Sequence, residues 1–222
     1  MNLLVLGRGK TGSLVAEAAA ARGHEVHALG GEENTGAKAL TPEFLRGFDC
    51  AIDFTTPTAV IPNVIACTQA KKNLVVGTTG WYDKLPQVKE LVERSGSGFL
   101  YASNFSVGVN IFFEIASAAA AALQQGYAAR IVERHHAQKK DAPSGTAASI
   151  KQRLGSEDVE ITSIREGDAV GQHVIMLDSP NDTMMLVHDS KSRRGFAEGA
   201  VLAAEWLQGK KGFFEFKDVL KK

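Results

Sequence analysis

The sequence predicts an α/β protein in two parts: an N-terminal parallel sheet wrapped by helices, and a second α+β domain built on an open mixed sheet. Three observations carry this expectation. The first hundred residues alternate short apolar runs with helical patterns, and strand–helix alternation implies a parallel sheet covered on both faces. After residue 155 three strand-like runs follow one another with little helix between them, as a mixed or open sheet requires. A glycine-rich turn, Gly7-Arg8-Gly9-Lys10-Thr11-Gly12, stands directly between the first apolar run and the first helical pattern.

Each element has its own signal. Leu3–Leu6 is a short apolar run ending in glycine and reads as a buried strand. Ser13–Arg22 is rich in alanine, the strongest helix former. Glu25–Leu29 and Asp49–Phe54 read as strands on either side of a glycine-rich stretch from Gly30 to Gly36. Thr58–Ala70 reads as a helix, Leu74–Val76 as a strand, Lys84–Arg94 as a helix and Phe99–Ala102 as a strand. Then comes a long apolar helix over Val107–Leu123, a strand over Arg130–His135 and a helix over Ser144–Leu154. Val159–Arg165, Val170–Leu177 and Thr183–Val187 are the consecutive strands, and Gly195–Leu207 returns to helix. This last helix and the tail are expected to rejoin the first part, giving one domain from 1–105 with 194–222 and another from 106–193.

Composition narrows the function classes. Lys+Arg and Asp+Glu each number 25 in 222 residues, so the chain lacks the basic excess of a nucleic-acid binder. Cys50 and Cys67 form no CxxC pair and sit in apolar surroundings, which suits buried reduced thiols. Met1 to Gly7 carries no basic n-region, and no apolar stretch is read as reaching the ~18 residues of a membrane span. A cytoplasmic protein with no membrane or nucleic-acid partner is expected.

The glycine loop points to a dinucleotide. Glycine suits a tight turn where backbone approaches a pyrophosphate, and the helix start that follows offers free N–H donors and partial positive charge. This makes the first part a Rossmann-like dinucleotide-binding domain. The acid that holds a ribose hydroxyl usually lies ~20 residues further on. Glu32 falls near that distance, while Lys10 is a cation that could meet a 2′-phosphate. Both can equally be solvated surface charges, so NADH and NADPH stay open.

The stretch from Glu133 to Thr146 carries the chemistry. His135 and His136 point to opposite faces of an extended strand, which makes them poor partners for one metal; no other ligand cluster is read from the sequence, and no metal is expected. A histidine can instead exchange a proton near neutral pH. Lys139 or Lys140 could hold an anion. Pro143 suits the first turn of a helix, and Ser144 and Gly145 would leave N–H groups open for a carboxylate. Such a set fits an acidic substrate undergoing proton-coupled reduction, although a plain surface loop with a satisfied histidine pair has the same residue types.

Glu133-x-His135-His136-x-x-Lys139-x-Asp141-x-Pro143-Ser144-Gly145-Thr146-Ala147 resembles the 4-hydroxy-tetrahydrodipicolinate reductase family, also called dihydrodipicolinate reductase. The likeness runs over nearly the whole chain. Asp53-Phe54-Thr55, Gly77-Thr78-Thr79-Gly80, Ala102 to Asn110, Arg165-x-Gly167-Asp168-x-Val170-Gly171-x-His173 and Arg193-x-x-Phe196-Ala197-x-Gly199-Ala200 follow in the family's order. The resemblance implies NAD(P)H-dependent reduction of 4-hydroxy-tetrahydrodipicolinate in lysine and diaminopimelate synthesis. It implies His135 as general acid or base with Lys139 assisting. It implies His136, Lys139, Ser144, Gly145 and Thr146 as holders of a small dicarboxylate. The cofactor would be lined by Gly7, Arg8, Gly9, Lys10, Thr11 and Gly12, with Phe54 and Thr55, then Gly77, Thr78 and Thr79, and finally Ala102, Ser103, Asn104 and Phe105; Glu32 joins them by its spacing from the loop alone. Arg193 becomes a hinge candidate, and the second domain the substrate-binding part that joins a homotetramer through its sheet.

Two departures stand out. The segment from Gly30 to Asp49 is shorter than usual for that family, and the loop is a compact GxGxxG where many members have one residue more. Two other readings keep the scaffold: a nicotinamide-dependent reductase of another small dicarboxylate or imine, and a non-catalytic dinucleotide sensor. A generic dehydrogenase does not need the block from His135 to Thr146, and a sensor could lose it.

Overall fold

The computed structural model describes residues 1–221. In chain order the elements are β1 (Asn2–Leu6), α1 (Lys10–Ala21), β2 (Glu25–Leu29), α2 (Pro42–Arg46), β3 (Cys50–Asp53), α3 (Pro57–Gln69), β4 (Asn73–Val76), α4 (Leu85–Ser95) and β5 (Gly98–Tyr101). There follow α5 (Val107–Gln124), β6 (Ala128–His135), α6 (Gly145–Leu154), β7 (Glu160–Arg165), β8 (Gly171–Asp178) and β9 (Thr183–Ser190). The chain ends with α7 (Arg194–Leu207), β10 (Gly212–Glu215) and α8 (Phe216–Val219). Two compact units result, Met1–Ser106 together with the chain from Arg194 onward, and Val107–Arg193.

The first unit is built on a six-stranded sheet in the order β10-β5-β4-β3-β1-β2, with every pairing parallel. Leu3, Leu4, Val5 and Leu6 are all buried, so β1 reads as a continuous apolar run instead of an alternating one. That is the pattern of a strand covered on both faces. The chain leaves β1 toward β2 on one side and resumes at β3 on the other, which makes the carboxyl ends of β1 and β3 the switch point of the sheet.

Sequence reasoning missed three short elements. Thr41 caps α2 by accepting from Phe44 N–H, with Pro42 in its first turn. β10 lies against β5 through Phe213 and Phe214, and α8 closes the chain with a capping box of Glu215 and Asp218. Four or five residues are too few to show a period.

The second unit has a four-stranded sheet in the order β7-β6-β8-β9; β6 and β7 are parallel and the other pairs antiparallel. Its inward face alternates cleanly. Ile131, Glu133 and His135 of β6 and His173, Ile175 and Leu177 of β8 are buried. The apolar half of this face packs with Val109, Phe112, Phe113 and Ala116 of α5 and with Ala147, Ile150 and Leu154 of α6. The polar half lies at the other end of the same strands. On the outward face Ile164, Met185 and Val187 are 37%, 59% and 55% exposed.

One expectation needs correction. Helix α5, 18 residues with a mean hydropathy of 1.4, is long and apolar enough to cross a membrane by length and composition. Its alanines raise hydropathy without bulk, and Asn110 and Glu114 interrupt the run on paper only. Its four buried side chains belong to the core of the second unit, while Ile111 and Ile115 on its other side stay 49% and 42% exposed.

Candidate active site

Two separate sites emerge, one in each unit. In the first, a cavity of about 450 Å³ opens at the switch point. Its walls come from the ends of β1 (Leu6 to Gly9), β2 (Leu29 to Gly31) and β3 (Phe54 to Thr56), and from Asn34 to Gly36 and Asn63. The glycines are there for space. Gly7 has φ +101°, and a Cβ on it would lie 2.1 Å from the Phe54 carbonyl oxygen. A Cβ on Gly12 would lie 2.0 Å from the carbonyl oxygen of Gly7, so α1 packs directly on the turn. Gly9 is the N-cap of α1 and provides no side-chain cap, which leaves the first-turn N–H groups available to an anion.

A buried polar network fixes the floor. Asp53 Oδ1 accepts from Thr55 N–H, Thr55 Oγ1 and Thr78 Oγ1, while Oδ2 accepts from Asn63. Asn63 in turn accepts from Asn34. Burial pushes the pKa of Asp53 up against these bonds. The segment after β2 is thus tied to α3 and β3 through Asn34 and Asn63. Cys50 and Cys67 are free and buried, and burial pushes both thiol pKa values up, Cys67 to about 12.

The expected cofactor residues divide. Gly7, Arg8, Gly9, Phe54 and Thr55 line the cavity. Lys10, Thr11 and Gly12 form the first turn of α1. Gly77 lies behind Phe54, where a Cβ would overlap the ring, and Thr78 accepts from Trp81 Nε1 through its carbonyl. Thr79 follows in the same loop. Ala102 is buried on Val76, Ser103 is exposed, and Asn104 accepts from Ser106 N–H. Phe105 packs on Phe54 with centroids 6.0 Å apart. Glu32 is exposed, and its side chain makes no bond among the described residues; Glu33 is the acid that folds back.

In the second unit Glu133 is the hub. Its side chain is fully buried. Oε1 accepts from Ser144 N–H at 3.0 Å, Ser163 Oγ at 2.7 Å and Arg165 Nη2 at 2.8 Å. Burial opposes its charge, but the bonds from Ser144, Ser163 and Arg165 outweigh it and hold the pKa at about 2. Oε2 lies 3.2 Å from His135 Nδ1 and 3.8 Å from His173 Nε2, without hydrogen-bond alignment to either. Burial lowers the pKa of His135, with Glu133 opposing and Lys139 and Arg165 assisting. Burial also takes His173 down to about 4, so both rings are neutral at pH 7.

These atoms of Glu133, His135 and His173 lie within 4.8 Å of one another, a ligand trio that sequence reading did not see. Arg165 already neutralises the carboxylate, so the cluster fits an ion-pair network better than a metal centre.

The remaining predicted residues surround it. His136 Nε2 lies 3.2 Å from Arg193 Nη2. Lys139 is paired with Asp141 at 2.7 Å, and its side chain is 22% exposed. Ser144 corrects the sequence reading. Its N–H turns inward to Glu133, its Oγ accepts from Ala147 N–H, and Oγ lies 3.2 Å from His173 Nε2. Ser144 is the N-cap of α6, so Pro143 precedes the helix instead of opening it. The N–H groups of Gly145 and Thr146 have no acceptor among the described residues and stand open at this helix start. Glu133, Ser163, Arg165 and His173 were missed as site residues. They lie up to 40 positions apart, and only strand pairing joins them: Glu133 pairs with Ser163 and with His173.

Comparison with known proteins identifies relatives of this chain. The family model for the N-terminus of dihydrodipicolinate reductase matches residues 1–105, and that for its C-terminus matches residues 108–220. The chain is 36% identical to the 4-hydroxy-tetrahydrodipicolinate reductase of Christiangramia forsetii, over 99% of this chain and 98% of the relative. It is also 36% identical to the protein of that name from Laribacter hongkongensis, over 78% of this chain and 73% of the relative. Among solved structures, dipicolinate-bound dihydrodipicolinate reductase from Paenisporosarcina sp. TG-14 aligns with a TM-score of 0.82 at 24% identity, covering 98% of both chains. Diaminopimelate dehydrogenase of C. glutamicum aligns at 0.60 with 12% identity, covering 100% of this chain and 95% of that one. The last two are likenesses of fold, which does not fix substrate.

Proposed function

The chain belongs to the dihydrodipicolinate reductase family, and from that premise we propose how its residues reduce 4-hydroxy-tetrahydrodipicolinate to tetrahydrodipicolinate. The enzyme is an oxidoreductase of lysine and diaminopimelate synthesis that uses NADH or NADPH. The observation that carries the residue assignment is the cluster around Glu133, where a proton-exchanging ring and an anion-binding helix start share one sheet end.

The cavity at the switch point fits a pyridine dinucleotide: its glycines admit backbone approach, and the start of α1 offers N–H groups to the pyrophosphate. When bound, the nicotinamide supplies a hydride. The product lacks the 4-hydroxyl of the substrate, so hydride replaces hydroxide, and the hydroxide needs one proton to leave as water. His135 delivers that proton. Glu133 acts through His135 as a positioning group: a small rotation of the ring aligns Nδ1 with Oε2, and the carboxylate then favours the imidazolium. Gly145 and Thr146 N–H groups hold one carboxylate. His136 and Lys139 hold the other, with Lys139 exchanging Asp141 for substrate. Arg193, beside His136 and last in the second unit, is the hinge residue of this reading.

The outward face of the second sheet supports assembly into a homotetramer. Ile164, Met185 and Val187 lie with Val132 and Val174 on one apolar surface, which a second copy would cover. We assign the enzyme to the cytoplasm, in keeping with its biosynthetic family and its buried, unpaired thiols.

The test is steady-state oxidation of NADH and NADPH, side by side, with enzymatically generated substrate. Lys139→Ala is expected to weaken substrate affinity and turnover while leaving nucleotide affinity alone. No oxidation of either nucleotide defeats the assignment.

A further inference from the structure

The floor of the first unit's cavity carries a hydrogen-bond chain to which the mechanism assigns no task. It begins at a backbone donor, Ala39 N–H, which gives to Asn34 Oδ1 at 3.3 Å. Asn34 Nδ2 gives to Asn63 Oδ1 at 2.9 Å, and Asn63 Nδ2 gives to Asp53 Oδ2 at 2.8 Å. The far end is again a backbone donor, since Thr55 N–H gives to Asp53 Oδ1 at 2.9 Å. Asn34, Asn63 and Thr55 line the cavity, and Asp53 is fully buried beneath them. All three side chains of the chain are buried, so bulk water does not make good a mismatch among them.

Backbone donors at both ends impose a count. Within such a chain a side-chain amide accepts on one side and donates on the other. Asn34 turns its oxygen to Ala39, which leaves its nitrogen for Asn63. Asn63 therefore turns its own nitrogen to position 53. The residue there meets a donor on each side. An asparagine would set one N–H group against another, whereas a carboxyl group accepts from both. The chain joins two walls of the cavity, the end of β3 and the segment after β2. Thr78 adds the β4 loop, its Oγ1 giving to Asp53 Oδ1 at 2.8 Å. The segment after β2 needs an anchor: Gly36 has φ +62° and Ala37 φ +64°, a left-handed backbone that alanine rarely adopts. We propose that Asp53 is a positioning residue for nucleotide binding: as the member that accepts on both sides, it aligns Asn63 and Asn34 and so fixes the segment after β2 against the end of β3 before the ligand arrives. A wall ordered beforehand spares the ligand the entropy of ordering it. The inference rests on the reading of this cavity as a dinucleotide site, and the chemistry at His135 does not enter it.

The count makes the test a swap. Asp53→Asn alone sets donor against donor, and Asn63→Asp alone sets one carboxyl group against another. Asp53→Asn combined with Asn63→Asp restores every bond: the new acid accepts from Asn34 and from position 53, whose oxygen still meets Thr55 N–H. Calorimetric titration of the full-length protein with NADH and with NADPH reads the result. Each single variant is expected to lose roughly tenfold in affinity for both nucleotides, the scale of one buried mismatch. The swap should return to within about threefold of wild type, a coupling that two independent losses do not give. Amide hydrogen exchange at Ala39 should quicken in the single variants and slow again in the swap, which ties affinity to the anchored segment. An Asp53→Asn protein that binds within about twofold of wild type overturns the proposal. So does a swap that fails to fold, or that binds no better than the weaker single variant, because the count is all the proposal requires. Failure of the cavity reading looks different: the wild-type chain itself binds neither nucleotide, and the proposal falls with it.

Discussion

In the first unit the proposed site is made of backbone, the N–H groups at the start of α1 and a turn kept bare by Gly7 and Gly12. In the second unit the proposed site is organised by a cluster of side chains, with Glu133 and His135 on β6, Arg165 on β7, His173 on β8 and Ser144 before α6. The backbone site depends on shape and tolerates many side chains nearby. The side-chain site depends on burial and charge, so its properties follow pH and single substitutions. One chain thus places a general binding task on geometry and a specific chemical task on electrostatics.

The largest expected break in this contrast comes from His135→Gln. Losing a positioned acid costs about 10²- to 10⁴-fold in turnover. Steady-state kinetics should show kcat falling far more than KM rises; a variant with near wild-type turnover at pH 7 removes His135 from its role. Glu133→Gln comes next. It leaves the part-buried Arg165 without its partner charge, and breaking a buried pair costs about 3–5 kcal/mol. Urea unfolding at pH 7 reads that loss directly, and a change below 1 kcal/mol would put the hub elsewhere.

Proton linkage sharpens the comparison. His173 has a folded pKa of about 4 against 6.5, so the unfolded chain binds its proton first. Its contribution is complete above pH 6.5 and is lost as the pH falls through 4, by up to about 3 kcal/mol. Glu133, held at about 2, loses its own contribution from pH 4.5 downward. Unfolding midpoints measured from pH 8 to pH 4 should therefore drop on acidification, and His173→Asn should flatten the upper part of that slope. The smallest effect belongs to the backbone site. Gly12→Ala crowds the Gly7 carbonyl and should cost about 1–3 kcal/mol, read as weaker nucleotide binding with His135 titration, followed by NMR, unchanged.

The same contrast explains what could be read beforehand. The glycine loop and the parallel strands were legible because backbone sites are written as local spacing: strand, turn and helix are contiguous. The run from His135 to Thr146 was legible for a similar reason, being one strand end, one loop and one helix start. Glu133 was visible in the motif but not as a hub, since Ser163, Arg165 and His173 reach it only through strand register. The inward turn of the Ser144 N–H depends on that same carboxylate. The short elements α2, β10 and α8 carried too few residues for any period to show.

Strand β10 has a consequence for how the chain is made. It forms the outer edge of the first sheet, beside β5, yet its residues are separated from β5 by the entire second unit. During synthesis the growing polypeptide holds β5 with an open margin until more than a hundred further residues have left the ribosome. The inserted unit has all its strands by Ser190 and can mature first, while the first sheet waits for Gly212–Glu215.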